Sequence, residues 1–413
     1  MEAMVSASVL ADTSLSLPML FLLAALLLLS LFLKRKPSKV PAIPPGPKPW
    51  PLIGNVFQIG DKPHISLSKL AQVYGPLMSL RLGTQLVVIG SSRKAASEIL
   101  KTHDRELSGR CVPHVSFAKD PKLNEDSIAW TFECTDRWKF FRSLMRNELF
   151  SSKAVDGQSS TREAKAREMI DFLRKKEGER VKIRDIVFGY IFNALANIYL
   201  SKDLLNYDQI GECQRVCGLV REMMELHTAL NISDMYPILG SLDLQGLSRK
   251  CNEGEGRIQE LWRGVIKERR EGRNDTGDDD NSSKRKDFLD VLLDGQFSDE
   301  QISLFLVELL AAVSDNPDNW EDPLCFKPER LLNSDLDYKG NHFEYLPFGS
   351  GRRICAGMPM AVKKVQLAFA NLIHSFDWSL PNNMLPDELD MDEKYGITLM
   401  KEQPLELIPK WRK

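Results

Sequence analysis

Cys355 stands in the run Phe348-Gly349-Ser350-Gly351-Arg352-Arg353-Ile354-Cys355-Ala356-Gly357. One thiol, two guanidinium groups just before it and three glycines make a loop shaped to present sulfur. The glycines let the backbone take positive φ and approach a bulky group closely. The arginines favour thiolate over thiol, and the thiolate is the form that attacks electrophiles and ligates metals. From Met358 onward the chain reads as a helix with Pro359 in its first turn, and a helix N-terminus beside sulfur favours its negative charge further. The competing reading is a structural cysteine in a tight turn. A second candidate pair is Trp138 and Arg142. Four apart on a helix, they share one face, so an indole N–H and a guanidinium can address one anion. The competing reading is a packed helical ridge.

These groups need helices to position them. Helical periodicity marks residues 161–175, 183–200, 209–230 and 256–270. Ser298-Asp299-Glu300-Gln301 has capping-box spacing and opens a helix through Ile302, Phe305, Leu306, Leu309 and Leu310. Two β-rich runs, 77–82 and 85–89, flank Gly83-Thr84 and predict a hairpin. Residues 65–74 and 91–102 read as helix, and 107–114 as loop. Residues 271–286 are polar and predict a surface loop without order. The segments 394–400 and 404–409 predict a terminal hairpin, with Ile397 and Thr398 in a turn facing substrate. Met223, Met224 and Leu226 read as core. Ile238, Leu239, Leu242 and Leu244 form an apolar loop suited to a membrane surface. The expected fold is mainly α, with small β regions.

The 413 residues carry a net charge of −2, which gives no nucleic-acid signal. Seven cysteines, an odd number without a C-x-x-C pair, are not a disulfide framework. The six histidines show no pair with zinc-site spacing. Residues 13–33 are free of charge for 21 positions and are followed by Lys34-Arg35-Lys36. That length spans a bilayer, and the basic flank puts the rest of the chain in the cytosol. A cleaved signal peptide is the competing reading, disfavoured by the length of the apolar run and by the basic cluster following it. The expected organisation is a membrane anchor with its basic flank at 1–36, a proline-rich hinge at 37–51, and one large domain at 52–413.

The pattern F-x-x-G-x-R-x-C-x-G, carried by Phe348, Gly351, Arg353, Cys355 and Gly357, resembles the haem-binding loop of the cytochrome P-450 superfamily. The hinge Pro44-Pro45-Gly46-Pro47 and the pair Trp138/Arg142 resemble family motifs as well. The resemblance implies a helical haem fold anchored in the endoplasmic reticulum, with haem b as cofactor and Cys355 as the axial ligand of its iron. It also implies that Arg353, Trp138 and Arg142 pair with haem carboxylates. The implied activity is oxygen insertion into a small lipophilic compound. Electrons come from an NADPH-dependent reductase, for which Lys363 and Lys364 offer a docking patch; a solvated helix face is the competing reading. Residues 320–326 and 395–404 are similar to plant members that hydroxylate terpenoids.

The resemblance breaks in one interval. Only 54 positions (355 − 301) separate Gln301 from Cys355. The helix opened at Ser298 runs directly into Ser314-Asp315-Asn316-Pro317, and Pro328-Glu329-Arg330-Leu331 stands where the family has P-E-R-F. Neither A-G-x-D-T, the family's proton-delivery motif, nor E-x-x-R, which braces the haem loop, is present there: residues 301–355 contain no threonine, and Arg330 has no Glu three positions before it. The chain therefore reads as a family member with an internal segment missing between about 313 and 317. Two function classes follow: a haem-thiolate monooxygenase, or a catalytically inactive, membrane-tethered haem-binding or scaffold protein from a shortened transcript.

Overall fold

Eighteen residues, Ile183–Leu200, form the helix on which the two hydrophobic cores meet. It is apolar almost all round, as a helix buried on more than one face must be. Ile186, Tyr190 and Ala194, four apart, face one core; Phe192, Ile198 and Tyr199 belong to the other. The structure is a computed structural model that describes residues 43–116, 121–275, 286–308, 334–396 and 399–412. The chain divides into two compact units at Pro44/Pro45, and every helix and strand of the described residues lies in the second.

The helices that matter for the site are labelled in chain order: α1 (Pro63–Tyr74), α2 (Asp136–Met145), α3 (Ser159–Lys175), α4 (Ile183–Leu200), α5 (Ile210–Thr228), α6 (Leu247–Asp275), α7 (Phe288–Asp294), α8 (Asp299–Glu308) and α9 (Met358–Ser375). Shorter helical turns connect them. Caps follow the residue types. Thr135 accepts from the Trp138 N–H at the start of α2, and Asp287 and Asp290 close a capping box on α7. The expected Ser298/Gln301 box forms in both directions, at 3.0 and 3.3 Å. The Gln301 amide also donates to buried Asp126 at 2.6 Å, tying α8 to the chain ahead of α2.

One core packs α3, α4, α9 and a strand through Met169, Leu173, Tyr190 and Phe376, each almost fully enclosed. The larger core joins α2, α4, α5, α6, α7 and α8 through residues such as Phe141, Leu149, Met223, Trp262 and Leu292. Each such side chain contributes about 1.5–3 kcal/mol relative to exposure. Met223 and Leu226 lie in this core, as expected.

The strands form three small antiparallel sheets. β1 (Leu77–Leu82) and β2 (Gln85–Gly90) make the expected hairpin, with Gly83 at φ +58° in its turn. β3 (Val181–Lys182), β7 (Glu406–Trp411) and β4 (Phe376–Ser379) are ordered β3-β7-β4. β5 (Glu393–Lys394) pairs with β6 (Met400–Lys401). The expected terminal hairpin is therefore corrected: β7 leaves its chain neighbours and joins two distant strands, where Trp411 packs edge-on against Phe376 at 5.2 Å.

A second correction concerns α6. It continues through Asp275, so the first residues of the expected loop are helical. Arg270 and Arg273 hold that end by pairing with Asp299 and with Asp290 and Asp294. A third concerns 107–114, whose last residue, His114, begins a 3₁₀ turn. Among the described residues no helix is long and apolar enough to cross a membrane. The span 13–33, the turn Ile397–Thr398 and the junction at 313–317 lie outside the described residues.

Candidate functional site

The haem-type loop closes on itself before it reaches its helix. The Cys355 N–H donates to the Phe348 carbonyl at 2.9 Å, and the Ile354 N–H to that of Gly351 at 3.1 Å. Gly349 and Gly351 take φ of +70° and +68°. A side chain at Gly351 would stand 2.1 Å from the Leu100 carbonyl oxygen, so only glycine fits there. Phe348 meets Tyr338 edge-on at 6.1 Å, and the Ser350 hydroxyl donates to the Gly340 carbonyl at 2.6 Å. Arg352 pairs with Asp104 at 3.1 Å. Gly357 then caps α9, with Pro359 in the first turn.

Cys355 is half-buried at that helix start. Burial pushes its thiol up, opposed by the Gly357 N–H, the Arg142 charge and the Met358 N–H. These opposing groups are the ones that would hold a thiolate once a cation took the proton's place.

Arg353 is the most engaged side chain of the site. Its Nε donates to the Ser108 carbonyl at 3.0 Å and Nη1 to that of Ile128 at 3.0 Å. Nη2 donates to the Thr131 carbonyl and hydroxyl, at 2.9 and 3.0 Å. Its guanidinium also stacks 4.9 Å from the Trp138 ring centre. Trp138 Nε1 donates to Ile128 at 3.1 Å, and Arg142 lies 5.7 Å from the same ring while donating to the Ile354 carbonyl. Burial lowers the Arg142 pKa, the Cys355 charge opposes this, and repulsion from Arg353 and Arg110 adds to it. Thus Phe348, Gly351, Arg353, Cys355, Gly357, Trp138 and Arg142 converge, although separated by about 200 positions of chain.

Sequence reasoning missed the acceptors: Ser108, Ile128 and Thr131 contribute main-chain oxygens, which carry no residue signature. It also missed Tyr199 on α4. The Tyr199 hydroxyl is buried without a hydrogen-bond partner, and its ionisation is suppressed by burial first and by the Cys355 charge second. It shares α4 with Phe188, Tyr190 and Phe192, so its residue type alone did not mark it.

Lys363 and Lys364 do not form a patch. Lys363 is exposed, but Lys364 is only 3 % exposed, its Nζ has no hydrogen-bond partner, and its pKa is lowered by burial and by Arg162. Two adjacent helical residues point about 100° apart, and packing of α9 against α3 takes one of them inside. A cavity of about 520 Å³ lies elsewhere, lined by Glu168, Asp171, Phe172, Lys175, Asp203 and Tyr207. It shares no residue with the Cys355 site.

The donor set at Cys355 suits haem iron: a soft sulfur ligand with two N–H groups and a helix start behind it. On the carboxylate side, Arg353 and Trp138 are held by the chain's own carbonyls, which act as the acceptors that haem carboxylates would replace.

A family model described as Cytochrome P450 matches residues 44–315 and 306–408, two stretches that meet around α8. A protein of Coptis japonica named "Probable (S)-N-methylcoclaurine 3'-hydroxylase isozyme 2" is 38 % identical over 93 % of this chain and 96 % of its own. The (S)-N-methylcoclaurine 3'-hydroxylase isozyme 1 of Papaver somniferum is 35 % identical over 95 % of this chain and 100 % of its own. The corytuberine synthase of Coptis japonica is 34 % identical over 95 % and 98 %. The first alignment runs to 481 positions but spans 93 % of 413 residues, about 384, so about 97 positions (481 − 384) have no residue of this chain. These relatives lend the terpenoid expectation no support: two are named for N-methylcoclaurine, and none of the three for a terpenoid.

Proposed function

Because this chain belongs to the cytochrome P450 family, whose members bind haem with a cysteine thiolate on the iron, we propose that it holds haem b through Cys355 and acts as a monooxygenase on a small, lipophilic, nitrogen-bearing compound. The observation that carries the reading is Cys355 at the start of α9, facing the N–H groups of Gly357 and Met358 and the charge of Arg142. When bound, the haem supplies the oxygen chemistry, and a thiolate ligand favours O–O cleavage. The residues of this chain supply the rest. Cys355 would give up its proton to ligate the iron, and Arg353, Trp138 and Arg142 would hold the carboxylate side; Gly351 keeps the loop against Leu100. The substrate class rests on the N-methylcoclaurine in the relatives' names.

Electrons would come from an NADPH-dependent reductase, and of the expected patch only Lys363 is exposed to meet it. The anchor at 13–33 would place the protein on the endoplasmic reticulum membrane. Exposed Ile238, Leu242 and Leu244 support contact with that surface.

A second reading is a haem protein without turnover. Residues 301–355 have no threonine for proton delivery and no glutamate three before Arg330. On α9, Val365, Phe369 and Ile373 stand 59, 63 and 48 % exposed along one face, an apolar stripe without cover among the described residues. Turnover of N-methylcoclaurine by the haem-loaded chain with reductase separates the readings. Product with tight NADPH coupling supports the enzyme. A normal haem spectrum with NADPH consumed and no product supports the silent protein.

A further inference from the structure

His227, Cys251 and Glu255 bring one nitrogen, one sulfur and one carboxylate oxygen within 4.8 Å of one another, away from Cys355 and its partners. Cys251 and Glu255 stand one turn apart on α6, and His227 is on the last turn of α5. Nothing in the haem site uses them. We propose that these three residues form a binding site for a divalent first-row metal ion of the zinc class, clamping α5 to α6.

The geometry is close to that of a bound site. Cys251 Sγ–H donates to Glu255 Oε1 at 3.9 Å. In a tetrahedral zinc site, bonds of about 2.3 Å to sulfur and 2.0 Å to oxygen put those two atoms about 3.5 Å apart. A shift of a few tenths of an ångström therefore converts the hydrogen-bonded pair into two ligands. His227 is prepared in the manner of a metal ligand. Its Nδ1 lies 2.6 Å from the Met223 carbonyl, which can only accept, so the proton is on Nδ1 and the lone pair on Nε2. The ring is further fixed by stacking on Trp130, with centres 5.6 Å apart and planes at 16°.

Sulfur, imidazole and carboxylate together suit zinc rather than magnesium or calcium, which take oxygen donors. Binding replaces the Cys251 proton, released to solvent, with the metal ion, and the bound Cys251 thiolate and Glu255 carboxylate balance its two charges. Half-buried His227 and Glu255 give the ion its way in, while Cys251 is enclosed. Three protein ligands leave the fourth position to water.

The test uses the purified full-length protein stripped with a chelator and titrated with Co²⁺ beside its Cys355→Ala variant. Wild type and Cys355→Ala should both develop the thiolate-to-cobalt charge-transfer absorption at one equivalent. Cys251→Ala should lack it, and His227→Ala and Glu255→Gln should each bind at least about tenfold more weakly. Zinc should compete the band away and raise the wild-type melting temperature. Absence of the band in wild type, its survival in Cys251→Ala, or its loss only in Cys355→Ala would overturn the proposal. Should Cys251→Ala fail to fold by circular dichroism, the other two variants decide: cobalt affinity equal to wild type in both overturns it.

Discussion

Arg353 and Trp138 donate to one and the same oxygen, the Ile128 carbonyl, at 3.0 and 3.1 Å, while the guanidinium lies 4.9 Å from the indole centre. Through this shared acceptor the Cys355 loop, α2 and the segment 127–131 become one unit. Arg353 extends it to Ser108 and Thr131. No lysine could replace it, because an ammonium has neither the fork nor the stacking plane. Arg353→Ala is expected to cost about 3 kcal/mol or more, since charged hydrogen bonds are each worth about 1.5–3 kcal/mol and the Ser108 and Thr131 carbonyls would lose this donor, while Ile128 keeps that of Trp138. Arg353→Lys should recover less than half of that. Urea unfolding of the two variants checks this. An alanine variant within about 0.5 kcal/mol of wild type would show that the bridge does not hold the loop.

Lys364 should be a liability. It is enclosed on α9 with no partner for Nζ and with Arg162 nearby, and both effects lower its pKa well below 10.5. The unfolded chain binds that proton more tightly, so between the folded pKa and 10.5 the unfolded state carries more protons and stability rises with pH. Lys364→Met keeps the volume and removes the amine. It should stabilise the protein by about 1–3 kcal/mol near neutral pH, with the gain shrinking as pH approaches 10.5. Unfolding curves at neutral and alkaline pH test this; a destabilised Met variant would contradict it.

The α6–α7 contact depends on pH through a carboxylate, and it weakens in acid. Asp290 receives Arg269 at 2.8 Å and Arg273 at 2.7 Å. Burial raises its pKa, but the two guanidinium groups outweigh burial and bring it below 3.8. Its contribution is complete above 3.8 and is lost as pH falls from there through the lower folded value. Asp290→Asn should therefore cost about 2–3 kcal/mol at neutral pH, with the difference from wild type closing in acid. A constant difference down to the lowest pH would show that the charge is not responsible.

The stripe Val365, Phe369 and Ile373 should govern solubility rather than stability. Contiguous exposed apolar surface promotes association. Replacing all three by serine is expected to reduce binding of a hydrophobic dye and to raise solubility, with about 0.5 kcal/mol or less of stability change per site. A loss above about 2 kcal/mol would mean that the face is packed in solution. That magnitude is what a buried large-to-small change costs.

The helices were legible because their apolar residues recur at helical spacing, along one stripe in 159–175 and almost all round in 183–200. The β1–β2 hairpin was legible because its turn is local. The pairing of β7 was not: Val181 and Leu407 are joined only through the folded chain, and a short strand does not carry its partner's address. The polar end of α6 read as loop because its helicity comes from Arg270 and Arg273 reaching α7 and the start of α8. At the site, the glycines, arginines and cysteine of the loop identified it, since each answers a steric or charge demand of its own. The oxygens that receive Arg353, and the burial of Lys364 beside exposed Lys363, depend on neighbours from other elements and leave no local pattern.

The measurement closest to the central claim is the absorption spectrum of the dithionite-reduced, carbon-monoxide-treated protein, beside Cys355→Ala. With Cys355 as the iron ligand, wild type shows the red-shifted Soret band of a thiolate-bound haem and the variant does not. A red-shifted band surviving in Cys355→Ala, or no haem band in folded wild type, would contradict the account.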